Sequence, residues 1–177
     1  MANPDIQRRM HRIVRRSGIR PERALEVGGY VDGKSLLRSK EIRRAERWCI
    51  NLVDQPDGTG IKHVVGSSND MHMFKDGTFD LVMSCAVHEH DKKFWLSVAE
   101  MHRVLRPGGK LVLVNVGQNL PAFNAMHRLA GTLVPAFWGR MLGSSFEEML
   151  SGYGFCIDHD RIVQQGFYPS RVMIARK

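Results

Sequence analysis

Cysteine is scarce in this chain: Cys49, Cys85 and Cys156 are the only three among 177 residues, and no two stand in a C-x-x-C spacing. A disulfide-stapled scaffold and a cysteine-built zinc site are therefore excluded, and reduced core thiols in a cytoplasmic compartment are expected. Long hydrophobic runs are missing as well; none approaches the ~18 residues that a bilayer crossing requires. Internal repeats, low-complexity tracts and a Pro/Gly/Ser-rich linker are absent, so one domain over residues 1–177 is expected.

Acidic residues are thin at the front. Residues 1–50 hold 13 Lys/Arg against 6 Asp/Glu, which leaves +7 of the total +8 in that stretch. Within residues 1–20, Ile6, Met10, Ile13 and Val14 share one helical face while Arg8, Arg9, Arg12, Arg15 and Arg16 cover the rest, the pattern of an amphipathic helix. Three readings fit it: a helix laid on the fold with a solvated Arg face, an arm touching RNA or acidic lipid through phosphates, or an Arg-rich transit peptide. A secretory signal is excluded because no apolar h-region follows the charges.

Past residue 20, short apolar runs alternate with helical patterns, which predicts an α/β domain with a mostly parallel sheet. "RALEVG" is the first strand, "SLLRSKEIRRAERW" the first crossover helix, "CINLVD" a second strand ending on Asp54 and "IKHVVG" a short third. "GTFDLVMSCAV" is apolar enough to be a central strand buried on both faces. "KKFWLSVAEMHRVL" carries Phe94, Val98, Met101 and Leu105 on one stripe, "RPGG" stops that helix, and "KLVLVNV" is a fifth strand. "GFCIDHDRIVQQ" and "SRVMIARK" are two closing strands. Residues 118–150 break the rhythm and read as irregular helices over one end of the sheet, where Phe123, His127, Phe137 and Trp138 are either an acceptor wall or simple core packing.

From Gly28 to Ser35 the chain reads G-x-x-x-x-G-K-S, the phosphate-cradling P-loop pattern, with Lys34 and Ser35 in the phosphate and magnesium places. In an open α/β sheet the turn after the first strand is the usual ligand contact, whichever ligand it serves. Glu26 decides between them. A triphosphate held by this turn would lie within several Å of its carboxylate, and at ~5 Å each like-charge pair costs about 3 kcal/mol at an effective dielectric near 20. A ligand bearing an ammonium or a sulfonium would be stabilised there instead.

Four stretches in order carry a resemblance: "LEVGGYVDG", "INLVD", "FKDGTFDLVMSCAVHEH" and "AEMHRVLRPGGKLVLVNV". Together, over about residues 22–116, they resemble the class I S-adenosylmethionine-dependent methyltransferases. The resemblance implies a Rossmann-like methyltransferase fold: a mostly parallel seven-stranded sheet with an antiparallel last strand and helices on both faces. It implies S-adenosylmethionine as cofactor and methyl transfer to a small or medium-sized acceptor. His88, Glu89, His90 and Asp91 invite a metal reading, but adjacent residues at a strand end point apart, so no metal is expected. Glu26, Gly28, Gly29 and Gly33 would surround the methionine portion and the sulfonium, and Asp54 would take the ribose hydroxyls unless it merely caps a turn.

Family members often place an acid after the third strand to accept the adenine amino group. Here that position falls on Ser68, or on Ser67 with one residue of slip, so Asn69 or Asp70 would accept the amino hydrogen and Met71 would lie against the ring. Ser84 and Cys85 would line the methionine end. Glu89 and His90 match a Glu-His pair of the family; His90 would act as a base or shape the acceptor pocket, being a side-chain type able to take or give a proton. Two other functions remain open at this level: a catalytically silent module binding RNA or a protein through its basic N-terminus, and a P-loop hydrolase.

Overall fold

The computed structural model describes residues 4–16, 18–31, 35–56, 60–116, 125, 129, 145–165 and 168–177. Seven strands form one sheet in the order β3-β2-β1-β4-β5-β7-β6. They are β1 (Arg23–Val27), β2 (Glu46–Asn51), β3 (Lys62–Val65), β4 (Phe79–Cys85), β5 (Leu105–Val116), β6 (Cys156–Gln165) and β7 (Tyr168–Arg176). The first five run parallel. β7 lies antiparallel between β5 and β6, so the expected mixed sheet with an antiparallel last strand is the one found. Among the described residues no helix is long and apolar enough to cross a membrane.

Strand alternation feeds two cores, because successive side chains leave the sheet on opposite faces. On one face Leu25, Val27, Ile50, Val82, Leu111 and Leu113 meet α2 (Phe94–Val104) and α3 (Ser145–Gly152). On the other, Ala24, Cys49, Leu81, Met83, Val112 and Val114 meet α1 (Pro4–Arg16) and the segment after the Gly-rich turn. β4 is buried at every position except Cys85, as a central parallel strand must be. At the pole away from the turn, Asp80 accepts the N–H groups of Glu22 and Arg23, both at 2.7 Å, and pairs with Arg106 at 2.6 Å.

Three expectations change. The first crossover is no α-helix: two short 3₁₀ turns, Leu36–Arg38 and Lys40–Ile42, replace it, and β2 has already begun at Glu46. Ser39 between the turns holds an extended ψ of 139°, which no continuous helix tolerates. β2 ends on Asn51, three residues before Asp54, because Leu52 and Val53 are exposed loop residues and not strand. The "RPGG" turn does not stand between helix and strand; α2 ends at Val104 and β5 runs on from Leu105, with the β4 register jumping between Phe79 and Leu81 to accommodate the extra residues. Of the cover expected over 118–150, only Ala125, Leu129 and the start of α3 belong to the described residues.

Candidate functional site

β1 has β2 on one side and β4 on the other, so the carboxyl end of β1 is the point where chain order reverses and where α/β sheets collect ligands. The turn there is shaped by contacts rather than left to the solvent. Gly28 takes φ +71° and donates its N–H to the Ile50 carbonyl at 2.8 Å. A Cβ on Gly28 would meet Val87 Cγ2 at 2.3 Å. Val87 is brought there by Ala86, whose φ of 56° turns the chain sharply as it leaves β4.

Gly29 points its carbonyl toward β2, where it accepts from Asn51 Nδ2 at 2.7 Å, Gln55 Nε2 at 3.0 Å and Cys49 Sγ at 3.3 Å. The same Gln55 accepts the Val31 N–H at 2.6 Å. Burial, with the Glu26 charge adding to it, pushes the Cys49 thiol up to about 12, so it stays protonated and serves as donor. Gly28 to Val31 is thus clamped from the β2 side.

Glu26 lies beneath the turn, almost fully buried. It accepts the Ser35 hydroxyl at 2.6 Å and the Leu36 N–H at 3.1 Å, and Gly29 leaves no room for a Cβ against it. Ser35 is in turn the cap of the first 3₁₀ turn, accepting the Leu37 N–H at 3.1 Å. The resemblance of this stretch to a P-loop therefore ends at Ser35, whose hydroxyl is engaged inside the protein. Ser35→Ala should cost about 1–2 kcal/mol in urea unfolding, the sum of a lost cap and a lost buried partner for Glu26; a change under about 0.3 kcal/mol would mean these bonds carry no stability. Gly33 and Lys34 fall outside the described residues.

The other expected positions are spread along the same edge. Asp54 is exposed, with its carboxylate accepting the Gln55 N–H at 2.9 Å and lying 3.7 Å from His63 Nδ1. After β3, Ser67 opens a turn that accepts the Asn69 and Asp70 N–H groups. Ser68 and Asn69 are half-buried, and Asn69 Oδ1 is shielded from solvent with no hydrogen-bond partner. Asp70 faces outward and accepts from His72, which holds its carboxyl below the usual range. Met71 is fully buried in the core shared with α2, its N–H bonded to Glu100 and its carbonyl to Arg103. In this conformation it offers no surface to a ring.

Ser84 and Cys85 are consecutive at the end of β4 and so diverge; Ser84 is buried with an unpartnered hydroxyl, and Cys85 is half-buried toward α1. His90 is exposed on a 3₁₀ turn, His88–His90. Its neighbour His88, conspicuous in the sequence only as one of four consecutive metal-ligand types, is buried, with Nε2 3.2 Å from Ser97 Oγ and its ring edge-on to Phe146. Burial pushes His88 down to about 4, against smaller upward pulls from Asn115 and Asp91. Among the described residues no three His, Cys, Asp or Glu converge as metal ligands.

Known proteins share this fold. A family profile described as "Methyltransferase domain" matches residues 39–113, beginning just after the Gly-rich turn. Demethylmenaquinone methyltransferase of Staphylococcus aureus is 32% identical over 89 residues, which is 50% of this chain; the match spans 36% of that protein's length. The fold is similar to that of a 1,6-didemethyltoxoflavin-N1-methyltransferase from Burkholderia thailandensis, solved with 1,6-didemethyltoxoflavin and S-adenosylhomocysteine. The TM-score is 0.69 at 16% identity, over 97% of this chain and 77% of that one. It is also similar to a SAM-dependent methyltransferase from Methanosarcina mazei, at TM-score 0.70 and 18% identity over 93% and 96% of the two chains. The sheet order and these likenesses give the chain a Rossmann-like methyltransferase fold, with the methyltransferase-domain match lying over residues 39–113.

Proposed function

We propose that this chain binds S-adenosylmethionine across the carboxyl ends of β1, β2 and β4 and transfers its methyl group to a small or medium-sized acceptor by in-line displacement. The observation that carries this reading is the turn Gly28–Val31, clamped in advance and underlaid by the buried Glu26. A carboxylate in that place favours a cationic sulfur and repels polyphosphate. Ser35, already bonded to Glu26, is a poor magnesium ligand.

The donor set suits the rest of the cofactor. Asn69 Oδ1 is an acceptor lacking a donor, which an exocyclic adenine amine would supply, with Ser68 and Asp70 flanking it. Asp54 can accept two ribose hydroxyls. Ser84 carries a buried hydroxyl in need of a partner at the methionine end, beside Cys85. The cofactor brings a methyl carbon on a positively charged sulfur, open to displacement by an acceptor lone pair. The chain's contribution is alignment, since holding nucleophile, carbon and leaving group in line removes much of the barrier. A base is needed only where the acceptor must lose a proton, and His90 is the exposed imidazole at that end of β4. A small acceptor is favoured because similar proteins are named for demethylmenaquinone and 1,6-didemethyltoxoflavin. A reducing, cytoplasmic setting fits three cysteines that are not joined in disulfides.

Isothermal titration with S-adenosylhomocysteine tests the reading. Saturable binding that ATP–magnesium fails to displace is the expected result. Silence at millimolar ligand from folded protein would instead indicate a silent module, and displacement by ATP–magnesium would revive the hydrolase.

A further inference from the structure

The surface formed by α1 and the 3₁₀ segment takes no part in the proposed chemistry, and these two segments account for most of the chain's net positive charge. Met10 and Val14 anchor α1 in the core beside Leu36, Leu37 and Ile42. Arg8, Arg12 and Arg15 recur at helical spacing on the opposite side and are exposed. Arg38, Lys40, Arg43 and Arg44 are exposed on the neighbouring segment. The two groups abut, because Glu41 between the 3₁₀ residues feels both Arg15 and His11 of the helix. Glu41 is the only acid in residues 35–45. Lys40, Arg43 and Arg44 make no side-chain hydrogen bond or ion pair among the described residues, so their charge is uncompensated.

We propose that Arg8, Arg12, Arg15, Lys40, Arg43 and Arg44 form a docking surface for the phosphodiester backbone of a nucleic acid, held without regard to base sequence. Guanidinium dominates the set, and its planar fork matches phosphate oxygens in pairs. A lipid surface fits less well. An interfacial helix inserts its apolar face into the headgroups, whereas α1 spends that face on Met10 and Val14 in the core. The exposed large apolar side chains among the described residues, from Tyr30 and Leu52 to Trp95 and Ile162, include none on α1 or in residues 35–45. Arg38 donates to the Val31 carbonyl at 3.0 Å, so the surface borders the Gly-rich turn, yet its role does not depend on methyl transfer.

Fluorescence anisotropy of the full chain with labelled RNA and DNA oligonucleotides of one sequence, from about 50 to about 200 mM salt, tests this. Binding should weaken linearly in log–log form, and K40Q/R43Q/R44Q should lose about tenfold or more at the low-salt end while flattening the slope by about 2 to 3. Circular dichroism should stay unchanged. RNA and DNA binding alike supports the shared backbone; RNA alone supports it with selection at the sugar. Lys75→Gln with Arg161→Gln, equally exposed cations outside the surface, should leave affinity and slope as they were. The proposal fails if neither oligonucleotide binds, if the triple variant keeps affinity and slope, if the control pair weakens binding as much, or if phosphatidylserine vesicles bind while oligonucleotides do not.

Discussion

Gly28→Ala is expected to destabilise the protein by about 3 to 4 kcal/mol and to abolish S-adenosylhomocysteine binding. Two separate costs combine. At φ +71° an L side chain is strained by about 1–2 kcal/mol, and the new methyl would sit 2.3 Å from Val87 Cγ2, an overlap that forces Val87 or the turn to move at about 1–3 kcal/mol. Gly108→Ala separates the two, since it shares a φ of +75° but has nothing within 4 Å of the added methyl, and should cost only about 1 kcal/mol. Urea midpoints for the two variants and the parent give both numbers. Equal losses at the two glycines would show that Val87 yields freely and that the turn is not held as described.

The second large effect is acid sensitivity through His88. Its folded-state pKa is depressed to about 4 from 6.5, because burial opposes the charged ring. Above pH 6.5 the ring is neutral folded and unfolded alike and contributes no pH dependence. As pH falls from about 6.5 toward about 4, the unfolded chain binds a proton that the folded one refuses, so stability drops, by about 3 kcal/mol over the window. Glu100 and Asp70 have carboxyls held low and lose their contribution only at lower pH. The difference between the parent and His88→Gln, measured by urea unfolding at each pH, isolates the histidine: the gap should narrow toward acid by about 3 kcal/mol. Parallel curves from pH 7 to pH 4 would mean that the ring protonates in place.

Much of the architecture was legible because it rests on period and composition. β4 and α2 announced themselves by a fully apolar run and by a stripe at helical spacing, and both formed as read. The crossover after the Gly-rich turn misled because Leu36, Leu37, Ile42 and Ala45 fit a helix loosely. The better fit was Leu36, Ser39, Ile42 and Ala45, all buried and three apart, which is the ~3.0-residue period of a 3₁₀ segment; the buried Ser39 hid it. The pattern places β2 three residues too late, because Leu52 and Val53 look like strand while lying exposed on the rim.

At the site, the glycines and the acid were visible as letters, but their partners were not. Gln55 reaches Gly29 and Val31 from outside the motif. His88 lies beside the more conspicuous His90, and only the packing of Phe146 and Ser97 around it sets it apart. The letters from Gly28 to Ser35 spell a P-loop, while the hydrogen bond from Ser35 to Glu26 engages inside the protein the hydroxyl that a P-loop would offer to magnesium.

β7 follows β6 in the chain yet occupies an inner lane. β7 separates β5 from β6, so while a ribosome is still adding residues 168–176 the preceding ribbon has no neighbour to zip onto. Until those residues emerge, β6 presents an unpaired ribbon to the crowded cell, an adhesive fringe of the kind that invites association between nascent chains.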